Sequence, residues 1–129
     1  MNYNDIQKSN GYVSKSLNIN NNPLQICSTK PMTGFYRNGY CETGVRDHGT
    51  HTVCATVNDD FLDYTKKMGN DLSTPRGSFP GLKNGDNWCL CALRWEQARK
   101  AGKAPKVIPE STNIKTYDII KHIKNIYFK

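Results

Sequence analysis

Changes in the period of apolar and polar positions mark three strand-then-helix units in this chain. The first opens with His51-Thr52-Val53-Cys54-Ala55-Thr56-Val57, where β-branched residues dominate, as in a strand. A helix then follows. Asn58 offers the N-cap, Asp59 and Asp60 suit the first turn, and Lys66 and Lys67 suit the last. Phe61, Leu62, Tyr64, Thr65 and Met68 recur at helical spacing, and Gly69 suits the position after the C-cap.

The second unit is a strand over Trp88–Ala92 and a helix over Leu93–Ala101, stopped by Gly102, with Trp95, Ala98 and Ala101 as its apolar stripe. The third is a short strand, Lys106–Glu110, followed by a helix from about Tyr117 to Phe128 that Thr116 can cap. Ile119, Ile120, Ile123, Ile126 and Tyr127 give that helix its buried face. Between the first two units runs a long connection, Asn70 to Asn87, punctuated by Ser73-Thr74-Pro75, Phe79-Pro80-Gly81 and Asn84-Gly85-Asp86. A loop of that length inside a compact domain is uncommon and often functional. Residues 1–22 are polar and end in the breaker Asn20-Asn21-Asn22-Pro23, so they read as a flexible tail ahead of one α+β domain over 23–129.

Composition changes this picture in three ways. At 129 residues with 36% hydrophobic content and a mean hydropathy of −0.71, the chain can build one core, and part of it lies outside that core. No apolar run approaches the roughly 18 residues of a membrane span, and Met1 to Asn10 lacks a signal-peptide segment, which together point to the cytoplasm. Five cysteines are an odd number, so the expectation is free thiols in a reducing compartment. The net charge of +7 is thinly spread. Nucleic acid is therefore an unlikely partner unless Lys66, Lys67, Lys115, Lys121 and Lys124 join in one patch.

Four stretches carry a family resemblance. They run Cys27-Ser28-Thr29-Lys30-Pro31-Met32-Thr33-Gly34-Phe35-Tyr36-Arg37, then Gly49-Thr50-His51-Thr52-Val53-Cys54-Ala55, then Gly69-Asn70-Asp71-Leu72-Ser73-Thr74-Pro75-Arg76, then Phe79 through Trp95 with its Trp88-Cys89-Leu90-Cys91 core. From about Ile19 to Glu110 the chain resembles a family known only as a domain of unknown function. The resemblance implies a two-layer α+β sandwich, with a small sheet and about three helices, and no activity. This chain departs from the family pattern at Tyr40, where a second Cys is usual, and at Asn113, where a His is usual.

Candidate chemistry falls into three groups. Residues two apart in a strand share a face, so Cys89 and Cys91 are expected side by side and reduced, beneath the 70–86 loop, with Trp88 and Leu90 on the apolar side. With Cys27, Cys41, His51 and Cys54 they are the residues from which zinc could draw ligands, although no cofactor is predicted and no C-x-x-C pair is present. For nucleophilic catalysis the candidates are Cys54, Cys89 and Cys91, with His51 as base and Asp47 to orient it, and His48 a weaker alternative. For ligand binding the candidates are Asp71, Ser73, Thr74 and Arg76 in the long loop, with Trp88 and Arg94 beyond it. Arg76 suits a carboxylate or phosphate. Two readings follow. A small-ligand or enzyme-like site predicts an open pocket holding Arg76 and at least one thiol. A structural or interaction protein predicts polar side chains satisfied internally. Oligomeric state and substrate are not legible.

Overall fold

The computed structural model describes residues 11–123. Its centre is a three-stranded antiparallel sheet in the order β2-β1-β3, made of β1 (Val53–Thr56), β2 (Asn87–Leu90) and β3 (Lys106–Val107). Two helices complete the α+β fold, α1 (Asp59–Lys67) and α2 (Ala92–Lys100). Period-two alternation sorts the sheet into two faces. Val53, Ala55, Trp88, Leu90 and Val107 turn to one side and meet Phe61 and Leu62 of α1, and Ala92, Trp95 and Ala98 of α2. Cys54 and Cys89, direct partners across β1 and β2, turn to the other.

Helix α1 forms where its local signals put it. The Asn58 side chain accepts from the Phe61 N–H at 2.8 Å, acids occupy the first turn, and Gly69 adopts φ +94° beyond the Met68 C-cap. Asn58→Ala is expected to cost about 1 kcal/mol, read from urea unfolding. A loss below a few tenths would show that packing alone sets the helix start.

Helix α2 begins one residue earlier than its pattern predicts. The Ala92 N–H bonds to the Thr50 carbonyl at 3.0 Å, which takes the chain out of the ladder after Leu90. Strand β3 is shorter than expected. Pro109 has no N–H to donate, and the chain turns into a 3-10 helix over Pro109–Ser111.

The third predicted helix is replaced over its first part. A 3-10 helix, Ile114–Asp118, stands at its start, and the Asn113 side chain rather than Thr116 caps it. Thr116 is buried instead, with its hydroxyl bonded to that of Thr52 at 2.8 Å. Ile120 and Ile123 reach the core as their spacing predicts, while Lys124, Ile126, Tyr127 and Phe128 lie outside the described residues, as do Met1 to Asn10. Two α-helices, not three, pack on the sheet among the described residues.

The part of the polar N-terminal segment that is described is packed. Asn18 and Ile19 are buried. Asn18 donates to the Pro23 and Glu110 carbonyls and accepts from the Asn20 and Asn22 N–H groups. The Ile19 N–H bonds Thr112 and the Ile114 N–H bonds Leu17, so the segment runs beside residues 110–114. Its polar composition hides this because backbone groups and one asparagine make the contacts.

The cysteine expectation is overturned. Cys27 pairs with Cys54 and Cys41 with Cys89 in two disulfides, and Cys91 alone is free. An odd count is as compatible with two bonds and one thiol as with five thiols, and partners far apart in sequence carry no local signal. The segment covering the sheet's second face is accordingly the 27–41 loop rather than the 70–86 loop. It is tied there by both disulfides and by the Thr33 hydroxyl, which accepts from the Cys89 N–H at 2.8 Å.

Candidate functional site

The 27–41 loop and the 70–86 loop meet over the edge of β2 and leave a cleft of about 570 Å³ between them. That volume lies within the usual range for small-molecule sites. Phe35 and Arg37 come from the first loop, Arg76 and Phe79 from the second, Trp88 and Cys89 from β2, and His51 from the segment entering β1.

The basic groups are held without being neutralised. Arg37 donates to the Gly34 carbonyl at 2.6 Å and lies over the Trp88 ring, 5.0 Å from its centroid. Arg76 donates to the Asp71 backbone carbonyl. Among the described residues neither guanidinium forms an ion pair, so most of their five N–H donors each remain for a ligand. The apolar wall is Trp88 with Phe79, their ring centroids 5.3 Å apart, and Phe35, stacked on His51 at 6.3 Å.

Asp47 orients His51. The Asp47 carboxylate, buried, accepts from the His51 ring Nδ1 at 2.6 Å, from the His51 N–H at 2.8 Å and from the Thr43 hydroxyl at 3.0 Å. Burial pushes this carboxyl up, but the His51 N–H, the His51 ring and the Thr43 hydroxyl together outweigh it and hold the group below the usual carboxylate range. An ionised Asp47 accepts only, so Nδ1 is the donor and a neutral ring presents Nε2 as an acceptor. Gly49 makes room for the ring, since a Cβ there would sit 2.5 Å from its Cε1.

Backbone conformation is unusual at the same place. Three non-glycine residues among those described have positive φ, and two of them are Arg37 at +54° and Thr50, next to His51, at +49°. For a β-branched residue such as Thr50 this conformation is uncommon and costly, and such outliers cluster at ligand sites.

A smaller cavity of about 40 Å³, room for about one water molecule, lies behind the cleft. His51, Cys89 and Cys91 all border it. Cys91 is not beside Cys89 on one strand face, since it is the N-cap of α2. Cys54 and Cys89 are disulfide-bonded, which takes both out of the set of free nucleophiles and leaves Cys91. His48 is exposed.

The other ligand-binding candidates do different work. Asp71 bonds the Ser73 and Thr74 N–H groups and the Thr74 hydroxyl. Those bonds, the Thr74 hydroxyl foremost, lower its pKa. Asp71, Ser73 and Thr74 thus shape the turn that presents Arg76. Arg94 donates to the Met68 carbonyl and to Gln97 on the outside of α2. Arg37 was missed by sequence reasoning, although Phe35-Tyr36-Arg37 is a pair of aromatics beside a cation in a turn-rich loop. The two family departures sit beside the cysteine cluster. Tyr40 is fully buried next to Cys41, and the Asn113 amide donates to the Cys41 carbonyl at 3.0 Å.

Fold and cleft together define a small α+β protein whose disulfide-tied loop walls a basic, aromatic pocket. The chain belongs to the family described as uncharacterised protein conserved in bacteria (DUF2237), whose model matches residues 17–126. No curated protein matches it. Among the described residues no helix is long and apolar enough to cross a membrane.

Proposed function

We propose that the cleft binds a small anionic molecule with a flat apolar part. Arg37 and Arg76 hold its carboxylate or phosphate, and Phe79 and Trp88 receive its ring. The observation that carries this reading is the convergence of two guanidinium groups, neither in an ion pair, with three aromatic side chains on one cleft. Each guanidinium is tethered by one backbone carbonyl and neutralised by no carboxylate among the described residues, which leaves its charge for a ligand. The site reading expected a thiol beside Arg76, and the sulfur found there is Cys89 in its disulfide with Cys41.

An enzyme-like extension has its own support. The free Cys91 and the Asp47-oriented His51 border one small cavity next to the cleft, and a thiol nucleophile needs a neighbouring base.

Titration with phenyl phosphate and benzoate, followed by Trp fluorescence, tests the binding reading because Trp88 lines the cleft. Saturable quenching is expected with both, and none with neutral benzyl alcohol. Arg76→Ala and Arg37→Ala are each expected to weaken binding by roughly tenfold or more, the worth of one charge-assisted hydrogen bond. Equal affinity for the neutral alcohol, or unchanged affinity in both variants, sinks the proposal.

A further inference from the structure

We propose that Cys27, Cys41, Cys54 and Cys89, once reduced, form a closed four-thiolate site for a zinc-class divalent ion. This site lies behind the cleft and does not depend on what the cleft binds.

The four residues form one buried cluster, with relative exposures of 5%, 0%, 0% and 1%. The Sγ atoms of Cys27, Cys41 and Cys54 all lie within 4.8 Å of one another, and that of Cys89 is bonded to Cys41. The two disulfides therefore share one cluster, in which three sulfurs are mutual near neighbours and the fourth, Cys89, is within a bond of one of them. In a tetrahedral site with Zn–S bonds of about 2.3 Å, neighbouring sulfurs stand about 3.8 Å apart. Sulfurs now bonded must part, and the Cys89 sulfur must close in on those of Cys27 and Cys54.

The backbone suits such a change. Cys54 and Cys89 are opposite one another on β1 and β2. Their N–H groups go to the Thr112 and Thr33 hydroxyls rather than to each other's strand, which makes them a non-hydrogen-bonded pair with the closer side-chain spacing. Two ligands thus stand on rigid strands. The other two, Cys27 and Cys41, stand on the covering loop, which can adjust. The set consists of soft thiolates only, which favours zinc over the hard oxygen-seeking cations. Four protein ligands leave no open position, so the site is structural.

The chemistry balances with a dithiol as reductant. Each disulfide takes two electrons from one dithiol, which closes to its own disulfide, and two cysteine thiols form. Binding of the ion to the four thiols then releases four protons. The covering loop is consequently fastened to the sheet in both redox states, by two sulfur–sulfur bonds or by four metal–sulfur bonds.

The test uses the full chain, reduced with excess dithiothreitol and desalted under nitrogen, with five thiols verified in denaturant. Titration with Co²⁺ is expected to saturate at one equivalent, giving thiolate-to-cobalt charge transfer and the strong visible bands of a tetrahedral ion. Zn²⁺ should displace it, and the oxidised chain should stay colourless. Cys91→Ser should keep the signal. Cys54→Ser and Cys27→Ser should each weaken Co²⁺ binding by more than roughly tenfold, the least that losing even an outer partner of a ligand costs. If reduction unfolds the chain, Zn²⁺ should restore its circular dichroism and thermal transition. A fully reduced chain that takes up no Co²⁺, a chain that Zn²⁺ does not refold, or a signal lost in Cys91→Ser but kept in the other two variants overturns the proposal.

Discussion

The paired substitution Cys41→Ala with Cys89→Ala is expected to lower stability by about 4 kcal/mol, and Cys27→Ala with Cys54→Ala by about 3.5 kcal/mol, from the entropy of the loops they close. Those loops span 48 and 27 residues. Cross-linking such loops removes conformations from the unfolded chain, and the longer loop loses more. The sulfurs also fill a buried cluster, so their removal adds a packing loss in the same direction. Against a total stability of roughly 5–15 kcal/mol, either loss is large, and a fall in melting temperature of roughly 15 °C follows for a chain of this size. Urea unfolding of the two paired variants at pH 7 measures both numbers. A loss under about 1 kcal/mol in either pair would mean that its bond does not hold the covering loop.

Asp47→Ala carries the next largest effect, about 3 kcal/mol at pH 7. Bonds to a buried charge are the strong ones, and truncation leaves their donors without a partner. Asp47 serves three donors at once, the His51 N–H, the His51 ring and the Thr43 hydroxyl. Its side chain has no solvent exposure, so these bonds rather than water hold its charge.

The pH dependence has a definite sign. The folded-state pKa lies below the ordinary value of an aspartate, so the charged carboxylate is favoured by folding. Its contribution is complete above that ordinary value and is lost as pH falls through the lower folded value. The stability gap between the native chain and Asp47→Ala should therefore be flat from pH 7 to about 5 and narrow below about 4. A gap that stays constant down to pH 2 would show that the carboxylate's charge is irrelevant and only its packing matters. The same variant releases His51, so a loss of ring order without loss of fold, seen as new exchange of the His51 imidazole signals in NMR, separates orientation of the site from support of the structure.

Local signals carried α1 and α2 well. Asn58 as a cap, charges that match the helix dipole, and Gly69 and Gly102 at the ends act within a turn or two of where they stand, so their effect is written in neighbouring residues. The alternation of Trp88, Cys89 and Leu90 likewise fixed which side chains face the helices. The Asp47–His51 pair was legible for the same reason, since four residues joined by a turn cannot stray far. The start of the third helix was not, because the Asn113 cap and the burial of Thr116 favour a 3-10 helix over Ile114–Asp118, ahead of the buried Ile120 and Ile123. The predicted helix from Lys124 onward lies outside the described residues.

The cysteine pairing, the covering loop and the cleft depended on where distant segments come to rest. Cys41 and Cys89 are 48 residues apart, and Arg37 and Arg76 line one cleft only because the 27–41 loop is fastened across the sheet's second face. Nothing near Arg37 in the chain distinguishes a cleft residue from any other cation in a turn. Side chains at that separation are brought together by burial of the whole sheet face and by covalent cross-links, and both are properties of the folded chain rather than of any stretch of it.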